Sequence, residues 1–125
     1  MKREIAASFD ETLARLPELL KSEGFGVLTE IDVKKTFENK LGVDFKRYRI
    51  LGACNPKLAH EALGHDLDVG VLLPCNVVVY EIDADHTMVS AVDPVVAIGQ
   101  LGGEAFMGLA GEVKDRLSRV LDELG

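Results

Sequence analysis

The chain lacks most of the features that announce a function. No apolar run approaches the ~20 residues a helix needs to cross a bilayer, so no membrane span is expected. It opens Met1-Lys2-Arg3-Glu4 and continues with mixed polarity, so no export signal is read there and a cytoplasmic location is expected. Cations are few: 14 Lys and Arg stand against 21 Asp and Glu, a net charge of -7. A domain of that sign repels phosphate backbones and anionic lipid surfaces, so neither nucleic acid nor membrane is an expected partner. There are only two cysteines, Cys54 and Cys75, with no CxxC or zinc-finger spacing. Without export they are expected as reduced thiols rather than a disulfide framework. Neither GxGxxG nor the P-loop Lys-Ser/Thr is present, and no serine-histidine-acid arrangement can be argued. No catalytic residue, metal site or cofactor is assigned.

What is present has the composition of one globular domain, 1–125, with 47% hydrophobic and 28% charged residues. Alternation of Ile5, Ala7 and Phe9 with polar neighbours predicts a strand over residues 2–8. Ser8-Phe9-Asp10-Glu11 has the form of a capping box. The helix it starts should run to Ser22, bury Phe9, Leu13, Leu16, Leu19 and Leu20, and kink at Pro17. A strand over 25–31, a short helix capped by Asp32 and stopped by Gly42, and a strand over 43–53 follow. Asn55-Pro56 opens a helix expected to end at Gly64, since asparagine caps and proline suits the first helical position. Residues 69–73 read as extended, 77–82 as a strand, Asp83 to His86 as a hairpin turn and 87–92 as the return strand. Asp93-Pro94 repeats the cap-plus-proline start, and Asp93 reads as a helix cap rather than a catalytic acid. Gly99 to Gly103 reads as a hinge before the longest helix, Glu104 to Leu124, whose apolar residues step by three and four. Gly108 and Gly111 inside it suggest close backbone approach to the sheet or to a second copy. Helices interleaved with hairpins, without a βαβ repeat, predict an α+β fold on an antiparallel sheet.

The two cysteines occupy similar phrases, Gly52-Ala53-Cys54-Asn55-Pro56 and Leu73-Pro74-Cys75-Asn76-Val77, each between an apolar strand and a turn. Two such junctions bring Cys54, Asn55, Cys75 and Asn76 to one rim of the sheet as candidate ligand-binding residues. Cys54 precedes a helix start, whose dipole favours thiolate, so it is expected to be the more reactive. The alternatives are a thiol redox pair or soft-metal site at Cys54 and Cys75, and two small hydrophobes filling corners. His60 and His65 are poor additions, because five helical residues turn ~500° and leave the rings ~140° apart. Asp66 with Asp68, and Asp83 with Asp85, read as turn residues.

Residues 34–49 hold six Lys or Arg against Glu38 and Asp44, a local +4, so the remainder carries -7 - 4 = -11. On a strand, Arg47 and Arg49 project together while Lys46 and Tyr48 face the other way. Two such forks could grip a small anionic ligand, or meet the acidic surface of a second copy and orient a homodimer.

Four motifs carry a resemblance: Phe25-Gly26-Val27-Leu28-Thr29-Glu30-Ile31-Asp32-Val33, Ile50-Leu51-Gly52-Ala53-Cys54-Asn55-Pro56, Leu72-Leu73-Pro74-Cys75-Asn76-Val77 and Val92-Asp93-Pro94, in this order. Together they closely resemble the bacterial and archaeal family of the domain of unknown function DUF302, over nearly the whole chain. The resemblance implies an α+β domain similar to the TATA-box-binding-protein fold, a curved antiparallel sheet with a long C-terminal helix packed on it. It implies no activity, substrate or catalytic residue, and a shared fold does not imply DNA binding. The expectation is a non-catalytic module that binds a small ligand or a partner. A hydrolase or isomerase using Asp93, His60 or Glu81 has no motif behind it.

Overall fold

A computed structural model describes residues 1–99 and 104–125. The elements run β1 Lys2–Ile5, α1 Phe9–Ser22, β2 Gly26–Asp32, α2 Val33–Leu41, β3 Tyr48–Cys54, α3 Pro56–His65, a 3-10 segment Leu67–Leu72, β4 Cys75–Asp83, β5 His86–Ala91, α4 Pro94–Gly99 and α5 Glu104–Leu124. The strands form one open sheet in the order β1-β5-β4-β3-β2, antiparallel at every junction. The expected α+β architecture with a long C-terminal helix is the one observed.

Helix starts follow the sequence chemistry closely. The first amides of a helix have no partner within it, and a side-chain oxygen at the cap satisfies one of them. Ser8 Oγ accepts from the Glu11 amide at 3.2 Å, Asp32 Oδ1 from Lys35 at 3.0 Å and Asn55 Oδ1 from Leu58 at 3.2 Å. Gly42 ends α2 in the left-handed region, at φ +65, where a Cβ would be strained.

One face of the sheet is buried under α1 and α5. Leu51 and Ala53 of β3, Val77 and Val79 of β4, and Val89 and Ala91 of β5 meet Phe9, Leu16 and Leu20 of α1 and Leu117, Leu121 and Leu124 of α5. Two buried hydroxyls are satisfied: Thr12 Oγ1 donates to the Ser8 carbonyl and Thr87 Oγ1 to the Ala7 carbonyl, both at 2.9 Å.

The other face carries no helix from α1 or α5, yet it is not polar. Strand register places Ile31, Ile50, Val78, Ser90 and Lys2 in one row across it, and Tyr48, Tyr80, Met88 and Glu4 in the next. The Tyr48 and Tyr80 rings stack at 5.4 Å. Helix α2 flanks this face and has no buried residue. Its Val33 and Phe37, with Ile31, Ile50, Phe45 and Tyr48, line an open apolar trough of ≈ 450 Å³.

Several local expectations are corrected. The first strand ends at Ile5, because Ser8 already caps α1. Helix α1 ends at Ser22 as expected, with Pro17 inside it. Strand β3 begins at Tyr48 rather than at residue 43. Asp44 and the Phe45 carbonyl are held by Lys34 Nζ at 2.8 and 2.7 Å, and Phe45 packs edge-on against Phe37, so this segment folds back on α2. Helix α3 passes Gly64 to His65, and the Asp66 amide still reaches the Ala62 carbonyl. Residues 69–73, expected as extended, lie mostly in the 3-10 segment, started where Asp66 Oδ1 accepts from the Asp68 amide at 2.9 Å. At Gly108 and Gly111 a Cβ would meet nothing within 4 Å, so neither marks a close approach to the sheet. The Gly102-Gly103 part of the expected hinge lies outside the described residues. Among those described, no helix is long and apolar enough to cross a membrane.

Candidate functional site at the cysteine-bearing end of the sheet

Strand β3 ends at Cys54 and β4 begins at Cys75, and the register pairs Cys75 with Ala53. The two cysteines therefore sit on neighbouring strands at one end of the sheet. Asn55 turns the chain into α3, while Pro74 brings it in from the 3-10 segment. Helices α3, α4 and α5 and the 3-10 segment close over this end. They leave a pocket with ≈ 60 Å³ of free space, walled among others by Phe25, Leu58, Val69, Leu109 and Val113. Cys54, Asn55 and Cys75 belong to the wall, and among the described residues no charged side chain does.

Neighbouring polar groups fix the wall without entering it. Gly24 has φ +86 and turns the chain from α1 into β2. Arg116 of α5 donates to the Glu23 carbonyl at 2.9 Å, and Arg119 binds the Glu23 carboxylate at 2.9 Å. These contacts clamp the turn that delivers Phe25. At the far side Asp93 accepts from the Val95 amide at 3.0 Å and pairs with Lys114 at 2.9 Å, which holds its carboxyl below the usual aspartate range.

Burial opposes the thiolate that a helix start favours. Burial pushes the Cys54 thiol up, and pushes Cys75 up to about 11, with the nearby Cys54 adding to the effect. The Leu58 amide at the start of α3 is engaged by the Asn55 cap. Both shifts favour the protonated S–H form, a weak donor on an apolar surface. They form no disulfide.

The other candidates lie elsewhere. Asn76 is exposed on the open face, opposite Gly52, and its carbonyl accepts from the Val92 amide at 3.2 Å. Arg47 and Arg49 sit at the opposite end of the strands, where they line a small polar cleft with Lys34 and Asp32. Arg47 precedes β3; it pairs with Asp10 and Glu81, over the Phe9 ring. Arg49 pairs with Glu30 at 3.1 Å and Asp32 at 3.3 Å. The structure thus brings together Cys54, Asn55 and Cys75, and leaves out Asn76 and both arginines. Among the described residues no three His, Cys, Asp or Glu side chains come together as metal ligands; His65 instead meets the Phe106 ring edge-on. The aliphatic wall had no signal in the sequence, because it is assembled from a few apolar residues from each of several segments far apart in the chain.

An open five-stranded antiparallel sheet, with α1 and α5 on one face and a cysteine-bearing pocket at its end, defines an α+β class. The chain belongs to the family of the domain of unknown function DUF302, whose model matches residues 1–124. It is similar over 100% of its length, at 34% identity and a TM-score of 0.92, to the crystal structure of an uncharacterized conserved DUF302 protein from Bacillus stearothermophilus, of which 97% is covered. No curated protein matches it.

Proposed function

We propose that the domain is a non-catalytic binding module whose pocket beside Cys54 and Cys75 takes a small uncharged apolar guest, or the apolar end of a larger one. The observation that carries this is the wall: aliphatic side chains and Phe25 from both layers of the fold, two thiols whose burial favours the neutral form, one amide and, among the described residues, no charge. Binding sites are typically concave and mostly apolar, with a few polar groups that orient the ligand. Asn55 is the orienting group, since only its Oδ1 is used in capping. A small anion is the weaker reading. Among the described residues no cation lines the pocket, and Arg47 and Arg49 are each matched by two carboxylates.

Native mass spectrometry of freshly purified protein tests this. Wild type should carry a small adduct or take one up from an apolar library, whereas Ala59→Phe, which fills the pocket from α3, should not. Failure of both proteins to bind any apolar compound contradicts the proposal.

One observation favours a second reading: the thiols are close enough for Cys54 to influence Cys75. A soft metal ion would have to displace both protons, which their raised values oppose. Stoichiometric silver binding that Cys54→Ser abolishes would support this reading. Apolar binding that survives Cys54→Ser/Cys75→Ser would support the first.

A further inference from the structure

We infer that the open face of the sheet is a homodimer surface, formed on a twofold axis that runs along the strands and passes near β3. A strand with one wet face alternates apolar and polar residues, but Val77-Val78-Val79-Tyr80 and Ile50-Leu51 are continuous, as in strands covered on both sides. Val77, Val79 and Leu51 are buried under the helices, while Ile50, Val78 and Tyr80 point the other way and are only half-buried. Ile31 on the same face is 48% exposed. Helix α2 adds an apolar stripe, Val33 and Phe37, that covers nothing fully.

The partner is identified by how charge is laid out around that surface. Apolar residues occupy its β2, β3 and β4 half. Beside them Lys40 follows Val33 and Phe37 on the same helical stripe, and Lys46 lies 5.7 Å from the Tyr80 ring. Neither lysine has an ion-pair partner among the described residues. The β1–β5 half is acidic at the same end of the strands: Glu4 lies on this face, Asp83 ends β4 and Asp85 is in the adjoining turn. Asp83, Glu4 and Asp85 all raise the value of His86, so they surround it. A twofold axis along the strands keeps like ends together and exchanges left for right. Placed near β3, it lays Ile50 on the partner's Ile50 and Ile31 over the partner's Val78. Helix α2 then reaches across to the partner's β5 and β1, with Lys40 toward Glu4 and Asp85. Each contact occurs twice, as an isologous interface requires. A nucleic acid or an acidic peptide fits only the basic edge and is repelled by the other, whereas a second copy satisfies both.

The test is sedimentation equilibrium across a wide concentration range on wild type, Ile50→Glu, Ile31→Glu, Lys40→Glu and Lys40→Glu/Glu4→Lys. Wild type should be a dimer. Either isoleucine variant should sediment as a monomer with an unchanged circular dichroism spectrum; Ile31 is the more exposed site and serves if Ile50→Glu fails to fold. Lys40→Glu should weaken dimerisation at least tenfold, and the swap should recover most of that loss. A monomeric wild type, or a dimer indifferent to both isoleucine changes, overturns the inference. A dimer lost in the isoleucine variants but unaffected by Lys40→Glu overturns the orientation.

Discussion

Gly52 tests whether the junction between the sheet and the pocket is packed as described. It sits on the open face of β3, one turn of the pleat before Cys54, with β2 on one side and β4 on the other. Its φ is not in the left-handed region, so backbone strain is not the issue. The issue is space. The Cβ of an alanine would overlap Thr29 Oγ1 and lie 2.7 Å from Pro74 Cγ, with Thr29 Cβ at 3.5 Å. The threonine hydroxyl can rotate away; the proline ring cannot. Overpacking of this kind costs ~1–3 kcal/mol. At about 2.1 cal/mol/K of unfolding entropy per residue, 125 residues give ~4 °C per kcal/mol, so Gly52→Ala should melt ~4–12 °C below wild type. Urea unfolding should show the same loss in midpoint at constant slope. In a Thr29→Ala background the penalty should shrink but not vanish, because the Pro74 contact remains. A neutral Gly52→Ala would refute the close approach of Thr29 and Pro74. Full rescue by Thr29→Ala would refute the part assigned to Pro74.

Other outcomes follow from the same structure. Leu117, 1% exposed at the centre of the α5 stripe, should lose ~2–5 kcal/mol on Leu117→Ala through lost transfer energy and the cavity left behind, read by urea unfolding. Alkylation near neutral pH should label Cys54 before Cys75, because Cys75 is raised to about 11, and both more slowly than a free thiol; faster labelling of Cys75 would contradict this ordering. Asp83 holds the His86 imidazole above its ordinary value of ~6.5, so the folded state favours the protonated form. That contribution is full below the unfolded value and is lost as pH rises through the folded one. His86→Gln should therefore lower the melting temperature on the acid side of that window and leave the alkaline side unchanged.

Much of the fold was legible because its signals are local. The caps at Ser8, Asp32 and Asn55, the stop at Gly42 and the stepping of α5 each depend on a few neighbouring residues and were read correctly. Misreadings arose where a contact distant in sequence decided the outcome. Phe45 folds onto Phe37 instead of extending β3, and the apolar run ending at Leu73 coils into a 3-10 segment, since periodicity cannot separate strand from helix in so short a stretch. The site was half legible. The repeated strand-to-turn phrase placed Cys54, Asn55 and Cys75 together. Alternation then put Asn76 on the opposite face, a consequence of the period of two. Burial, invisible in sequence, raises both thiols, Cys75 to about 11, which leaves Cys54 the more reactive of the two, as its place before a helix start suggests.

The most direct test of the pocket is an NMR titration of methyl-labelled protein with xenon, a compact apolar atom that enters dry aliphatic cavities. The account predicts shifts concentrated on Leu58, Val69, Leu109 and Val113, abolished by Ala59→Phe. Shifts confined to Ile31, Ile50 and Val78 on the open face, or none at all, would contradict it.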